Sequence, residues 1–243
     1  YDVRPNRLYI EYLDLFDEIK IRTKPAKIPI CEVIFSGEDT HLIDSKNNTI
    51  TKTFFEFSKI FPIKNSYKIH VKKNIPIEAG LGGGSSNAGI FLKALYNVEV
   101  GEITSPTGKT QEQLIKIALN IGADVAFFLN YGTAIGTHYG EILEQMPNLN
   151  NIQERRNLHK VLIIPQVKAK TTSMYKQLDL SKTAQNTKQT TKMIQAIQTK
   201  NIPEILKNMH NDFELTANKQ FYNIQKTLEK DGKTTAILCG SGS

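Results

Sequence analysis

The chain has little of what marks several common protein classes. It has two cysteines, Cys31 and Cys239, far apart and without metal-ligand spacing. No disulfide framework or zinc site is expected from them, and free thiols in a reducing cytoplasm are the expectation. The five histidines are scattered with no metal pattern. No window reaches the ~18 continuous apolar residues of a membrane span, so no membrane partner is expected. The opening Tyr1-Asp2-Val3-Arg4-Pro5 lacks the basic segment and apolar run of a signal peptide. It also lacks an initiator Met, and the chain stops inside Gly240-Ser241-Gly242-Ser243, so both ends are expected to be incomplete. Long basic runs are missing too. The net charge of +7 is scattered, and Lys72-Lys73 and Arg155-Arg156 have no interleaved aromatics. An anionic small molecule fits that balance as well as nucleic acid does, and no nucleic-acid partner is expected.

What is present is the ordinary composition of a globular enzyme or binding protein, 40% apolar and 23% charged over 243 residues. One stretch stands apart: Pro76-Ile77-Glu78-Ala79-Gly80-Leu81-Gly82-Gly83-Gly84-Ser85-Ser86-Asn87-Ala88, with four glycines within five residues. The alternating Tyr67-Lys68-Ile69-His70-Val71 precedes it, and an apolar helical pattern read as a helix over 85–96 follows. Strand, glycine loop and helix in that order place free N–H groups and a positive dipole end where an anion can sit. Ser85, Ser86 and Asn87 are helix-capping types whose oxygens suit phosphate or a metal. A tight turn without a ligand is the plainer alternative.

Elsewhere, Glu32 to Phe35 reads as a strand, and Thr51 to Phe61 as a helix with Phe54, Phe57 and Ile60 on one face. Residues 8–19 show no clean period. Gly108-Lys109-Thr110 is not a P-loop, because Ile103 stands where that motif needs glycine. Thr110 opens a helix whose stripe is Leu114, Ile117, Ala118 and Ile121, stopped by Gly122. Asp124 then precedes the apolar run Val125 to Leu129. An acid there is either a surface turn residue or a functional one. Thr133 to Thr137 and Glu141 to Met146 read as strands, and 147–160 as a linker. Lys160 to Ile164 reads as a buried strand. Helices are expected at Thr171 to Lys176, around Met193 to Ile197, at Glu204 to Met209 and at Phe221 to Leu228. Thr183 to Thr190 reads as polar and mobile, and Thr234 to Leu238 as a strand.

Pro76-x-x-x-Gly80-Leu81-Gly82-Gly83-Gly84-Ser85-Ser86 resembles the second signature of the GHMP kinases, the small-molecule kinases of galactose, homoserine, mevalonate and phosphomevalonate. The extra glycine resembles the branch acting on the 2-hydroxyl of 4-diphosphocytidyl-2-C-methyl-D-erythritol in non-mevalonate isoprenoid synthesis. Gly122-Ala123-Asp124-Val125, Tyr139-Gly140-Glu141-Ile142, Asn211-Asp212-Phe213-Glu214 and Gly240-Ser241-Gly242-Ser243 resemble later segments of that branch, in the same order. The family's first signature, with its lysine, is absent from this sequence.

The resemblance implies a two-domain α/β (α+β) architecture with the nucleotide site at the domain cleft. Residues 1–150 would form the ATP-binding domain and 160–243 the substrate-binding domain. It implies ATP and Mg2+ as cofactors and a small-molecule substrate with a cytidine diphosphate group. The nucleotide would lie on residues Pro76, Ile77, Glu78, Ala79, Gly80, Leu81, Gly82, Gly83, Gly84, Ser85, Ser86 and Asn87, with Lys73 and Asn48 beside it. Ser85 would touch Mg2+, Asp124 would be catalytic, and Thr171 and Tyr175 would surround the cytosine. Lys73 as a surface strand lysine and Tyr175 as a half-buried helix residue stay open. A monomer or homodimer is expected. The alternatives are another GHMP kinase, of homoserine or mevalonate type, and a non-catalytic nucleotide-binding protein. A dinucleotide-binding oxidoreductase fits less well, because Gly80-x-Gly82-x-Gly84 lacks that fingerprint's last glycine and its acidic residue.

Overall fold

A computed structural model describes residues 6–10, 15–102, 108–129, 133–138, 140, 142–146, 160–164, 171–179, 181–183, 185–232 and 234–240. The described strands form two three-stranded sheets. The first has β4 (Asn65–Lys72) at its centre, antiparallel to β2 (Glu18–Pro25) and parallel to β3 (Cys31–Ser36). Tyr67, Ile69 and Val71 of β4 are buried, while Lys68, His70 and Lys72 between them are exposed. That is the period of two expected of a strand with one face on a core. The second sheet places β5 (Thr133–His138) between β1 (Asn6–Ile10) and β6 (Ile142–Met146), both antiparallel to it.

Two helices pack on the buried face of β4, and a third packs against them. In α1 (Thr49–Ser58), Asn48 and Thr51 form a reciprocal capping box, and Phe54 and Phe57 point inward. The long α2 (Gly83–Glu99) contributes Phe91, Leu92 and Leu95, and α3 (Gly108–Ile121) contributes Leu114, Ile117, Ala118 and Ile121. The last residue of α2 ties the helix back to β4. Glu99 accepts hydrogen bonds from the Lys64 amide at 2.8 Å, from Asn65 Nδ2 at 3.1 Å and from the Tyr67 hydroxyl. Partial burial opposes its ionisation, but the Tyr67, Lys64 and Asn65 donors together hold its carboxyl below the usual range.

A smaller core joins Ile135 and Met146 to Met193, Ala196, Ile197 and Ile205. Those helical residues come from α5 (Thr187–Gln198) and α6 (Ile202–Asn208), which follow α4 (Thr171–Gln177) and precede α7 (Lys219–Leu228). Ile135 and Met146 thus lie before residue 150 and still pack with the C-terminal helices.

Several expectations need correction. Residues 160–164 form no strand and are exposed, Val161 by 82%. Residues 234–238 form no strand either. An apolar run becomes a strand only where a neighbour satisfies its amides, and neither run has a ladder partner among the described residues. Thr187 to Thr190, read as mobile, are the first turn of α5.

The core makes a paired prediction. Phe57→Ala should cost about 3–5 kcal/mol in urea unfolding, as a fully buried aromatic. Phe55→Ala, two residues away and 60% exposed, should cost less than about 1 kcal/mol. Equal losses would contradict the facing of α1.

Candidate active site

The glycine stretch is the connection from β4 to α2. Gly82 is the N-cap of α2 and has the left-handed φ of 68°, which glycine adopts at little cost. Helix α2 therefore starts earlier than expected: Gly83 and Gly84 fill its first turn and Ser85 and Ser86 lie inside it. No side chain caps this end and no acidic residue sits in its first turn. Its leading amides have no intrahelical acceptor. Ser86 Oγ bonds back to the Gly83 carbonyl at 2.9 Å. Glu78, within the loop, also takes a left-handed φ of 58°, which is strained for a residue with a Cβ.

The start of α1 lies against this end. Thr49 Oγ1 donates to the Gly84 carbonyl at 2.9 Å. Helix α1 likewise has no acidic residue in its first turn. Two positive helix ends thus meet beside the loop with no carboxylate in either first turn, a field that favours an anion.

Asp124 sits in a 3-10 turn, Ala123–Val125, followed by a second, Phe127–Leu129. Phe128 fixes these turns to α2. A Cβ at Gly89 would fall 2.7 Å from Phe128 Cβ and 3.3 Å from the Val125 carbonyl oxygen. A Cβ at Gly82 would meet the far end of the same ring at 3.2 Å. The aspartate's turn and the glycine loop are therefore held by one helix. Asp124 reaches solvent, yet the protein around it displaces enough water to raise its carboxyl above the ordinary aspartate range.

The C-terminal segment returns to the same loop. Gly240 lies so close to Gly80 that a Cβ would come 2.8 Å from the Gly80 carbonyl oxygen. Asn211 Nδ2 donates to the carbonyls of Leu238 at 2.8 Å and Gly240 at 2.7 Å. The Leu238 amide donates to Glu214 Oε1 at 3.0 Å. The Asn-Asp-Phe-Glu segment thus anchors the strip that touches Gly80. Phe213, in its middle, stands edge-on to Tyr175 with ring centres 4.8 Å apart. Tyr175 is 62% exposed rather than half-buried, one turn after Thr171 opens α4.

Three expected nucleotide contacts are occupied otherwise. Asn48 accepts from the amides of Ile50 and Thr51 and donates to the carbonyls of Asp44 and Ser45, so its amide group serves as a cap. Lys73 is not a surface lysine. Its side chain is 6% exposed and pairs with Asp17, whose side chain is fully buried. Asn87 is buried and donates to the same Asp17 at 2.9 Å. Asp17 itself was missed in the sequence. Its partners are far along the chain, and the only signal was an acid at the start of an alternating Ile19, Ile21 pattern.

The GHMP kinases N terminal domain family matches residues 48–132, which run from the α1 cap past Asp124. A 4-diphosphocytidyl-2-C-methyl-D-erythritol kinase of Clostridium perfringens is 30% identical over 245 residues, covering 97% of this chain and 77% of that enzyme. The chain belongs to the GHMP kinases. This GHMP kinase shares its fold with a solved 4-(cytidine 5'-diphospho)-2C-methyl-D-erythritol kinase, at a TM-score of 0.58 and 20% identity over 93% of this chain and 74% of that one. A homoserine kinase from Cytophaga hutchinsonii gives a TM-score of 0.69 at 15% identity, with the same coverage. Likeness at these identities shows the α/β kinase fold and does not choose between acceptors.

Gly89 provides a test of the packing that holds this GHMP kinase's site together. Helix propensity alone predicts that Gly89→Ala stabilises by up to about 1 kcal/mol. Contact with Phe128 predicts a loss of about 1–3 kcal/mol in urea unfolding. A stabilised variant would contradict the contact.

Proposed function

We propose that this chain is an ATP-dependent kinase of the 2-hydroxyl of 4-diphosphocytidyl-2-C-methyl-D-erythritol, acting in non-mevalonate isoprenoid synthesis. One observation carries the chemistry: the anion-favouring loop and Asp124 are fixed to the same helix through Phe128. The 30% identity to a kinase of that name and the extra glycine of the loop carry the choice of acceptor.

Phosphoryl transfer needs alignment and charge neutralisation more than covalent participation. The free amides of residues 80–85 cradle the triphosphate at the α2 terminus, where the Ser86 amide is already taken by the Gly82 carbonyl, and the α1 terminus adds to the field. The substrate hydroxyl oxygen forms the new bond to the γ-phosphorus as the bond to the β-phosphate oxygen breaks and ADP departs. The hydroxyl proton passes to the Asp124 carboxylate. Among the described residues no cluster of three acidic, histidine or cysteine side chains could hold a metal. Ser85 would offer its hydroxyl oxygen to Mg2+, an ion commonly held by substrate phosphates with few protein oxygens, and the ion would supply neutralisation of phosphate charge. Tyr175 offers an exposed ring on which the cytosine stacks, with Thr171 nearby; such a stack is typically worth ~1–3 kcal/mol.

Asp124 makes two predictions. Asp124→Asn should lose turnover by ~10² or more while keeping nucleotide binding. It should be at least as stable as the parent near neutral pH. The sign follows from linkage: a carboxyl whose folded pKa is raised binds more protons when folded, so its ionisation disfavours folding as pH rises. Near-native turnover would overturn the assignment. The pH profile gives the second prediction. Turnover needs the carboxylate, so the acid limb of kcat should lie above the ordinary aspartate value of about 3.9 and vanish in Asp124→Asn. An acid limb at the ordinary value would contradict the role.

A further inference from the structure

Asp17 immediately precedes β2, about sixty residues from the loop, and its side chain is completely buried. Its two oxygens take different partners. Oδ1 accepts the backbone amides of Asn74 and Ile75, both at 2.8 Å. Oδ2 accepts Asn87 Nδ2 at 2.9 Å and the Lys73 ammonium. The first pair fixes the chain as it leaves β4, directly before Pro76. Of the second pair, Lys73 also stands just past the end of β4, and Asn87 lies in the early part of α2, three residues after the last glycine of the loop. The loop from 76 to 86 is thus a closed span with one carboxylate across its two feet.

The packing between the feet is equally close. A Cβ at Gly83 would stand 3.0 Å from Ile75 Cγ2 and 3.1 Å from Lys73 Nζ. The Lys73 amide is itself held by the Ser36 carbonyl at 2.7 Å.

We propose that Asp17 is a positioning residue for the nucleotide: it sets the separation of the loop's two feet, and so the direction of the leading amides of α2. The proposal rests on the kinase reading above, since it needs a nucleotide on those amides. It also gives Lys73 a role other than phosphate contact. The lysine supplies the counter-charge that lets a carboxylate stay buried at this junction, where a lone carboxylate would be strongly disfavoured.

Asp17→Asn cuts this device selectively. The amide oxygen can keep the Asn74 and Ile75 bonds, but an NH2 group replaces Oδ2 and meets two donors, Lys73 Nζ and Asn87 Nδ2. The loop's first foot stays fixed and its second is released. The measurement is equilibrium titration with a fluorescent ATP analogue, together with the acceptor KM and thermal unfolding of the same samples. Asp17→Asn should raise the analogue's Kd about 10-fold or more and leave the acceptor KM within about twofold. Glu99→Gln is the control, because Glu99 ties the opposite end of α2 to β4. It should lower the unfolding midpoint with the Kd unchanged, which separates positioning from general stability. An Asp17→Asn protein that is folded and binds within about twofold of the parent overturns the proposal. If Asp17→Asn does not fold, Asn87→Ala decides. It removes only the link to α2, should raise Kd several-fold, and overturns the proposal if Kd stays within about twofold. A parent that binds the analogue but turns over no acceptor overturns the acceptor assignment and leaves the positioning test readable by Kd. A parent that binds no nucleotide overturns both.

Discussion

Phe128 meets α2 at its N-cap Gly82 and at Gly89, where no side chain keeps the ring away. The contact is only as good as the backbone approach, because any Cβ at Gly89 would overlap the Phe128 side chain. This places a 3-10 turn carrying an aspartate along the first turns of a helix whose own first turn holds no acidic residue. Phe91, Leu92 and Leu95 seat α2 on β4. Glu99 ties the far end of the helix to the Tyr67 hydroxyl, away from the loop, and adds stability there.

The electrostatics of the site come mainly from the backbone. The charged side chain nearest the loop's first foot, Lys73, faces inward to Asp17. The field that favours an anion then comes from the leading amides of α2 and the adjoining end of α1, joined through Thr49 and Gly84. Backbone donors of this kind are preorganised and lose no side-chain entropy when a ligand arrives. Asp124 is the complementary element. Its raised pKa comes from desolvation, which strengthens its tendency to take a proton. The strip at Gly240, tied to Asn211 and Glu214, brings the C-terminal part of the chain to the same loop.

Much of this was legible in the residues. The strand, glycine loop and helix order stood in the alternation of 67–71 and the run of glycines, and the α3 stripe of Leu114, Ile117, Ala118 and Ile121 is buried as its spacing implied. Elements with a weak period were not legible. Strand β2 shows only Ile19 and Ile21 on its packed side, after a stretch where acids and apolar residues mix. Residues 160–164 and 234–238 show the opposite failure: composition reports apolarity but not whether a partner strand exists. The α2 start was misplaced because capping side chains at 85–87 outweighed a glycine cap, which has no side chain to read. Asp17 was invisible for a different reason. Its meaning lies wholly in contacts with Lys73 and Asn87, 56 and 70 positions away, and no local pattern encodes such a pair.

The fold is shared by kinases of several alcohols, so acceptor choice is the claim most in need of a direct measurement. The most direct is ADP release from ATP and Mg2+ in a coupled assay, run in parallel with 4-diphosphocytidyl-2-C-methyl-D-erythritol, homoserine and mevalonate. The account predicts ADP formed in step with phosphorylation of the diphosphocytidyl substrate, and only background with the other two. Background release with that substrate, or turnover of homoserine or mevalonate in its place, would contradict it.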